Sequence, residues 1–250
     1  MFARRAFLFA LLLCATGSAW SQGSQPPLVP PGGRVGVIDL MLADVTHYHI
    51  GRSQTDSFLR TYRGSWTTAD VIDEPLIWEL TNAGFEAVAL APSDRLRREK
   101  QGWIIENPQA ARLPRACMGE LERLFKAENL AALIIIAPGP NSESNAVEES
   151  RLRRLPGYIQ GWGFSTSDEP GGTEKPVVFN LTQMLLLVKS DDDVRLDYRD
   201  WGAAYLYEWN NFTPGDDLKA LGDEEVAKLQ PVFADVMKRQ FARVLPRLKP

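Results

Sequence analysis

Apolar positions in the first half of the chain follow two periods, which together predict strands and helices in alternation. Four short apolar segments are typical of strands: Val35 to Leu42, Val45 to Ile50, Phe85 to Ala91 and Ala131 to Ala137. The last segment lacks polar alternation, which favours an interior strand of a sheet covered on both faces. We therefore expect a sheet with helices packed on each side.

Helical spacing predicts two helices among these strands. The first has Thr67 or Thr68 as N-cap and Gly84 as its C-terminal stop, with Pro75 kinking it or delaying its start. Its buried stripe comprises Ile72, Leu76, Leu80 and Ala83. A second helical region is expected around Cys117 to Asn129.

The second half of the chain is richer in long, alternating segments. Gly157 to Ser165, Val177 to Lys189 and Val194 to Trp209 are predicted as antiparallel strands. Residues 190–193 would form the tip of a long hairpin, and Asp168 to Pro176 a mobile loop. A closing helix, capped by Asp223, would bury Val226, Leu229, Phe233, Val236, Met237, Phe241 and Val244.

These elements predict one mixed α/β (α+β) domain over residues 34–250, with helices on a mixed sheet and a long C-terminal antiparallel hairpin before a terminal helix. Residues 22–33 contain four prolines and three glycines, so they are predicted to form a flexible leader. Residues 51–66 are mostly polar, and we expect the side chains of Phe58 and Tyr62 to attach this segment to the core.

Residues 1–21 have the pattern of an export signal. Arg4 and Arg5 precede an apolar run from Ala6 to Ala15, which is too short to span a bilayer and ends in small residues. Cleavage after Ser21 fits best, with cleavage after Ala19 as the alternative. The sequence thus predicts a soluble periplasmic protein with no transmembrane segment after cleavage.

The arginine pair leaves two export routes open. Arg4-Arg5-Ala6-Phe7-Leu8 resembles a twin-arginine signal, but the leucine-rich apolar run favours the general secretion route. Cys14 follows Leu13 rather than a small residue, so lipidation is disfavoured. Cys117 is the one cysteine beyond the signal, and its spacing to Leu121 and Phe125 favours a buried structural thiol.

Charge disfavours nucleic acid as a partner. Loss of residues 1–21 would remove Arg4 and Arg5 and change the net charge from −4 to about −6. The densest basic cluster, Arg95 to Lys100, is typical of one solvated helix face.

His47 and His49 are the sharpest candidates for chemistry, because alternate residues of a strand project from one face. Two imidazoles and a carboxylate such as Asp44 or Asp39 could bind a metal ion, and either imidazole could serve a hydrolase as its base. The alternative is a pair of histidines on the wet face of an edge strand, which we favour. We expect no other cofactor.

Other motifs are weaker. The three aspartates at 191–193 lack the spacing of a calcium loop. Asn141 follows a predicted interior strand at the end where α/β sheets bind ligands, without a nucleotide-binding fingerprint. Tyr205, Tyr207 and Trp209 share one strand face and could bind a glycan or a partner protein, although a place in the core beneath a helix is favoured.

The order of elements supports a topological resemblance. The signal, the strand Val35 to Leu42, the helix ending at Leu80 to Gly84, the strand Phe85 to Leu90 and the run Ala131 to Ala137 resemble the small α/β domain of envelope proteins such as the TolB amino-terminal domain and the curli-secretion lipoprotein. The chain also resembles uncharacterised exported proteobacterial proteins. The resemblance covers residues 34–209 and implies a location without a mechanism, and the lipidated cysteine of the secretion lipoprotein has no counterpart here.

We therefore expect a noncatalytic periplasmic protein that binds an envelope protein or a small ligand in cell-envelope assembly or maintenance. The alternative is a metal-dependent or other hydrolase that uses His47 and His49.

Overall fold

The computed structural model describes residues 28–98, 115–139, 159–168, 176–190, 193–201, 205–209 and 221–249, with the backbone alone for Arg115, Arg199, Trp201 and Tyr205–Glu208. The strands are β1 (Arg34–Asp39), β2 (Asp44–Ile50), β3 (Phe58–Arg63), β4 (Glu86–Ala89), β5 (Ala132–Pro138), β6 (Gly161–Ser167), β7 (Val177–Ser190), β8 (Asp193–Trp201) and β9 (Tyr205–Glu208). The helices are α1 (Glu74–Asn82), α2 (Asp94–Arg98), α3 (Arg115–Ala127), α4 (Asp223–Ala227) and α5 (Gln230–Leu248), with a π-helical turn at Ala69–Asp73 before α1.

The nine described strands form a mixed sheet, which confirms the predicted fold class. The order is β3-β2-β6-β7-β5-β1-β4, while β8 and β9 pair with the remaining edge of β7. The parallel pairs are β1 with β4, β1 with β5 and β2 with β6; the other pairs are antiparallel. β4, β1 and β5 thus confirm the strand-helix-strand arrangement predicted for the first half.

β7 joins the two ends of the sheet. Its first residues, Val177–Leu181, pair with β6, and residues 182–188 pair with β5. The opposite edge pairs with β9 and β8, which confirms the long hairpin.

Each face of the sheet buries its own apolar cluster, because successive strand residues point to opposite sides. On β5, Ala132, Ile134 and Ile136 join the cluster that contains α1 and α5 residues. Leu133, Ile135 and Ala137 join the cluster formed with α2 and α3, which includes the fully buried Cys117. The continuous apolar run of β5 therefore marks an interior strand, and Cys117 is a core residue, both as predicted.

The first helix begins at the two threonines predicted as its cap. Thr68 directly precedes the π-helical turn and makes no side-chain cap bond, whereas the backbone N–H of Asp70 donates to the Oγ1 of Thr67 at 3.4 Å. The backbone N–H and the hydroxyl of Thr67 both donate to the Asp70 carboxylate, at 2.7 and 2.8 Å, and these bonds lower the pKa of Asp70. Pro75 lies in the first turn of α1, so it delays the regular helix instead of kinking it. Gly84 closes the helix with a φ of 90°, which a residue with a Cβ rarely adopts.

Three predictions about elements were wrong. Residues 58–63 form β3, whereas the sequence predicted a polar stretch without a strand. The closing helix is divided into α4 and α5, because Pro231 has no N–H to donate and its ring displaces the carbonyl four residues earlier. The N-cap of α4 is Gly222, and Asp223 is the first helical residue. The predicted apolar face of the closing helix is nevertheless buried throughout.

Within the described ranges, no helix has both the length and the apolar composition that a bilayer crossing requires. The predicted signal, the leader up to residue 27 and the tip residues 191–192 lie outside the described residues.

Candidate functional site

The two histidines lie in the interior of the protein. His47 has none of its surface exposed and His49 only 4%. The prediction that they occupy the wet face of an edge strand is therefore wrong. β2 is an inner strand, because β3 covers its outer edge, and the imidazoles lie among aromatic rings.

Strand register brings a hydroxyl between the two rings. β2 runs parallel to β6, with His47 opposite Phe164 and His49 opposite Thr166. The Thr166 Oγ1 lies 2.8 Å from Nε2 of His47 and 2.7 Å from Nδ1 of His49. Asp168 follows the end of β6, and its Oδ2 lies 3.2 Å from Nε2 of His49. We call His47, Thr166, His49 and Asp168 the polar chain.

For a neutral His49, the hydrogen-bond inventory sets the direction of the protons along the polar chain. A carboxylate only accepts, so His49 donates from Nε2 to Asp168 and accepts at Nδ1 from the Thr166 hydroxyl. Thr166 then accepts the Nε2–H of His47. This assignment satisfies each of these donors and leaves Nδ1 of His47 as a bare acceptor, which is one of several buried side-chain atoms without a hydrogen-bond partner among the described residues.

Aromatic rings enclose both imidazoles. Phe164 stacks on His47 with ring centroids 4.2 Å apart, and Phe58 stacks on His49 at 4.9 Å. Burial lowers the pKa of His47 to about 3, and the neighbouring His49 and Arg60 add to this effect. His47 is therefore uncharged at neutral pH.

The order Asp168, His49, Thr166 is that of a hydrolase triad, in which a carboxylate orients an imidazole that activates a hydroxyl. Here the hydroxyl belongs to a residue that is 8% exposed, and it is also bonded to a second imidazole. In the part of the chain that the structure describes, the Thr166 hydroxyl is therefore buried and already occupied by two imidazoles, unlike the exposed hydroxyl of a hydrolase nucleophile.

The two histidines lie together, but the proposed third metal ligand, Asp44, does not join them. Asp44 begins β2, and the alternation along the strand places it on the face opposite His47 and His49. The nitrogens of the two rings that face each other both engage Thr166. In the part of the chain that the structure describes, His, Cys, Asp and Glu side chains form no group of three that could hold a metal ion.

A second polar cluster lies where β1 ends. Burial raises the pKa of Asp39 to about 6. Hydrogen bonds from Thr68 and from the backbone N–H of Met41 lower this pKa, but by less than burial raises it. Asp73 raises it further, and Arg97 lowers it. Burial also raises the pKa of Asp73, whose Oδ1 is buried without a partner. The carboxyl end of a parallel strand is the usual place for ligands in α/β sheets.

The remaining candidates occupy different places. Trp209 is 4% exposed and packs edge-on against Phe164 at 5.4 Å, consistent with the core alternative. Tyr205 and Tyr207 are on β9, but their side chains are not described. Asn141 lies outside the described residues. Sequence reasoning missed Thr166 and Asp168, which lie about 120 positions from the histidines and carry no local motif.

The fold and the site define a mixed α/β domain with an enclosed, hydrogen-bonded histidine pair. No protein-family model matches the sequence, and no curated protein matches it. Solved structures similar to this chain include a hypothetical protein from Chlamydia trachomatis, with a TM-score of 0.39, 9% identity and coverage of 86% of this chain and 97% of that chain. Another is a lipoprotein from Neisseria meningitidis, with a TM-score of 0.31, 11% identity and coverage of 84% and 99%.

Proposed function

We propose that this protein is a noncatalytic binding protein of the cell envelope, exported by its first 21 residues, that holds a partner during envelope assembly or maintenance. The export signal pattern supports the location. The enclosure of the only two imidazoles of the chain argues against catalysis by a histidine base.

The observation that carries the proposal is the open end of the sheet at β3. Leu59, Arg60 and Thr61 at its centre are exposed, and among the described residues β3 pairs with β2 alone. The end strand of a sheet is a template for an added strand. The surface that the sheet offers to a partner is thus a strand edge.

Site-specific crosslinking tests this proposal. A photoreactive residue in place of Thr61 is expected to capture a defined envelope protein in intact cells. The matched control is the same residue in place of Thr81, which is exposed on α1. The captured protein must also bind the purified chain. Equal capture at both positions, or capture at neither, would contradict the proposal.

A hydrolase is the second candidate, favoured by the triad order of Asp168, His49 and Thr166. Thr166→Val removes the hydroxyl with little change in volume. If the protein is a binding protein, wild type and variant hydrolyse p-nitrophenyl acetate at the same background rate, and metal analysis of the purified protein finds no stoichiometric ion. Activity that disappears in Thr166→Val while the variant stays folded would establish the hydrolase instead.

A further inference from the structure

The two buried imidazoles have different surroundings, although both are bonded to the Thr166 hydroxyl. Nε2 of His49 lies 3.2 Å from the carboxylate of Asp168, whose side chain is 51% exposed. Phe58 stacks on the His49 ring, and the face of an aromatic ring attracts a cation. A charged His49 would therefore have a carboxylate at one nitrogen and an aromatic ring on one face.

His47 lacks such support among the described residues, because neither of its nitrogens is bonded to a carboxylate. Nε2 is bonded to Thr166, and Nδ1 is buried without a hydrogen-bond partner. Burial lowers the pKa of His47 to about 3, and the neighbouring His49 and Arg60 lower it further. The pair is thus asymmetric, and a proton that enters the polar chain places its charge on His49.

The titratable groups around the pair come from three further elements. β3 contributes Arg60 and Tyr62, whose ring lies 6.1 Å from the His47 ring. Asp168 follows the end of β6, and α4, which contacts β3, contains the acidic residues Asp223 to Glu225. Among the charged groups that the structure describes, Asp168 is the one that bonds an imidazole.

A proton on His49 reverses the direction of the polar chain. Both nitrogens of His49 then donate, so the Thr166 oxygen accepts from Nδ1 and its own proton needs another acceptor. Nε2 of His47, at 2.8 Å, is such an acceptor if the proton of that ring is on Nδ1. This arrangement leaves one polar group of the chain without a partner, the Nδ1–H of His47. A proton that stayed on Nε2 would leave two, the bare Nδ1 and the Thr166 hydroxyl proton, so the reversal is favoured.

We propose that the polar chain is a proton-operated switch, in which protonation of His49 changes the tautomer of His47 through Thr166. One proton enters from solvent and binds Nδ1 of His47, the Nε2 proton of His47 passes to the Thr166 oxygen, and the Thr166 hydroxyl proton passes to Nδ1 of His49. No other covalent bond changes. His47 and Thr166 stay neutral, and His49 carries the charge. The switch needs no partner, so it goes beyond the proposed function and does not rest on it.

Nitrogen NMR of the purified, untagged protein with labelled histidine tests the switch, because the shifts of the ring nitrogens show which of them is protonated. The chain has two histidines, so the spectrum of His47→Phe assigns both rings. At alkaline pH we expect both neutral rings to carry their proton on Nε2. On acidification, His49 becomes charged while His47 stays neutral and exchanges its Nε2–H for an Nδ1–H, with one midpoint for both changes.

Thr166→Ser is the matched control for Thr166→Val. Serine keeps the hydroxyl, so the two changes should remain coupled, whereas valine removes it, so the tautomer of His47 should no longer follow the charge on His49. The inference would be overturned by a His47 proton that stays on Nε2 while His49 becomes charged, or by two rings that become charged together. Coupling that survives in Thr166→Val, or two rings that stay neutral down to the pH of unfolding, would overturn it as well. If Thr166→Val does not fold, the wild-type spectra decide the question alone.

Discussion

Burial keeps the His47 imidazole uncharged far below the pH at which a free histidine takes up a proton. Its pKa falls from 6.5 in the unfolded chain to about 3 in the fold. The unfolded state therefore binds more protons between these values, and the stability due to the neutral ring is complete above pH 6.5 and is lost as the pH falls towards 3.

We expect the free energy of unfolding of the wild type to decrease by roughly 3–5 kcal/mol from this group alone over that pH window. His47→Phe keeps an aromatic ring beside Phe164 and removes the titration, so its acid limb should be flatter than that of the wild type. Urea unfolding at several pH values measures the difference. Parallel curves for the two proteins would show that His47 titrates normally.

Asp39 changes the stability of the fold with pH in the direction opposite to His47. Burial raises the pKa of its carboxyl group from 3.8 to about 6, so the charged form destabilises the fold, and this cost grows as the pH rises through 6. Asp39→Asn keeps an acceptor for the backbone N–H of Met41 and removes the charge. We expect it to raise the free energy of unfolding by about 2 kcal/mol at pH 7.5 and by much less at pH 4. A variant that is less stable than the wild type at pH 7.5 would show that the charged carboxylate stabilises the fold.

Among the elements, β6 depends on a close approach that only glycine permits. A Cβ at Gly163 would overlap the Thr46 carbonyl oxygen of β2 and a carbon of the Phe179 ring. Gly163→Ala should therefore separate the two strands and lower the free energy of unfolding by about 3 kcal/mol. Gly119→Ala on α3 is the control, because no atom lies within 4 Å of the added carbon. Because alanine favours a helix more than glycine does, Gly119→Ala should raise the free energy of unfolding, measured in urea, by up to about 1 kcal/mol. An equal decrease of this free energy in both variants would argue against the steric explanation.

Local patterns predicted those elements whose burial is the same along their whole length. β5 is apolar on both faces and α5 has one apolar stripe, so each could be predicted from its own residues. β3 was missed because Arg60, Thr61 and Arg63 are polar on an edge strand, although the alternation with Phe58 and Tyr62 was present.

The environment of the histidines had no local signal. His47 and His49 are buried because β3 and β6 flank β2 on both sides, and β6 lies more than 110 residues further along the chain. The same distance separates them from the hydroxyl and the carboxylate that complete the polar chain. The alternation of side chains along a strand correctly placed both imidazoles on one face. What that face contacts depends on the pairing of β2 with strands distant in the sequence.

For the whole molecule, export is the property that most directly tests the proposed location. We expect N-terminal sequencing of protein from the periplasmic fraction to find Gln22 as the first residue, or Trp20 if cleavage follows Ala19. An intact chain that begins at Met1 in the cytoplasmic fraction would contradict this. Replacement of Arg4 and Arg5 by lysine should leave export unchanged by the general secretion route and abolish it by the twin-arginine route.

The position of β7 in the sheet determines when a chain that emerges amino terminus first can fold. β5 and β6 both pair with β7, so each has an unpaired apolar edge until residue 190 has been delivered. A chain interrupted before Val177 would leave one edge of Ala132–Pro138, an apolar strand without charges, unpaired, and such a segment is prone to aggregate. Folding of this protein therefore waits for the last third of its chain.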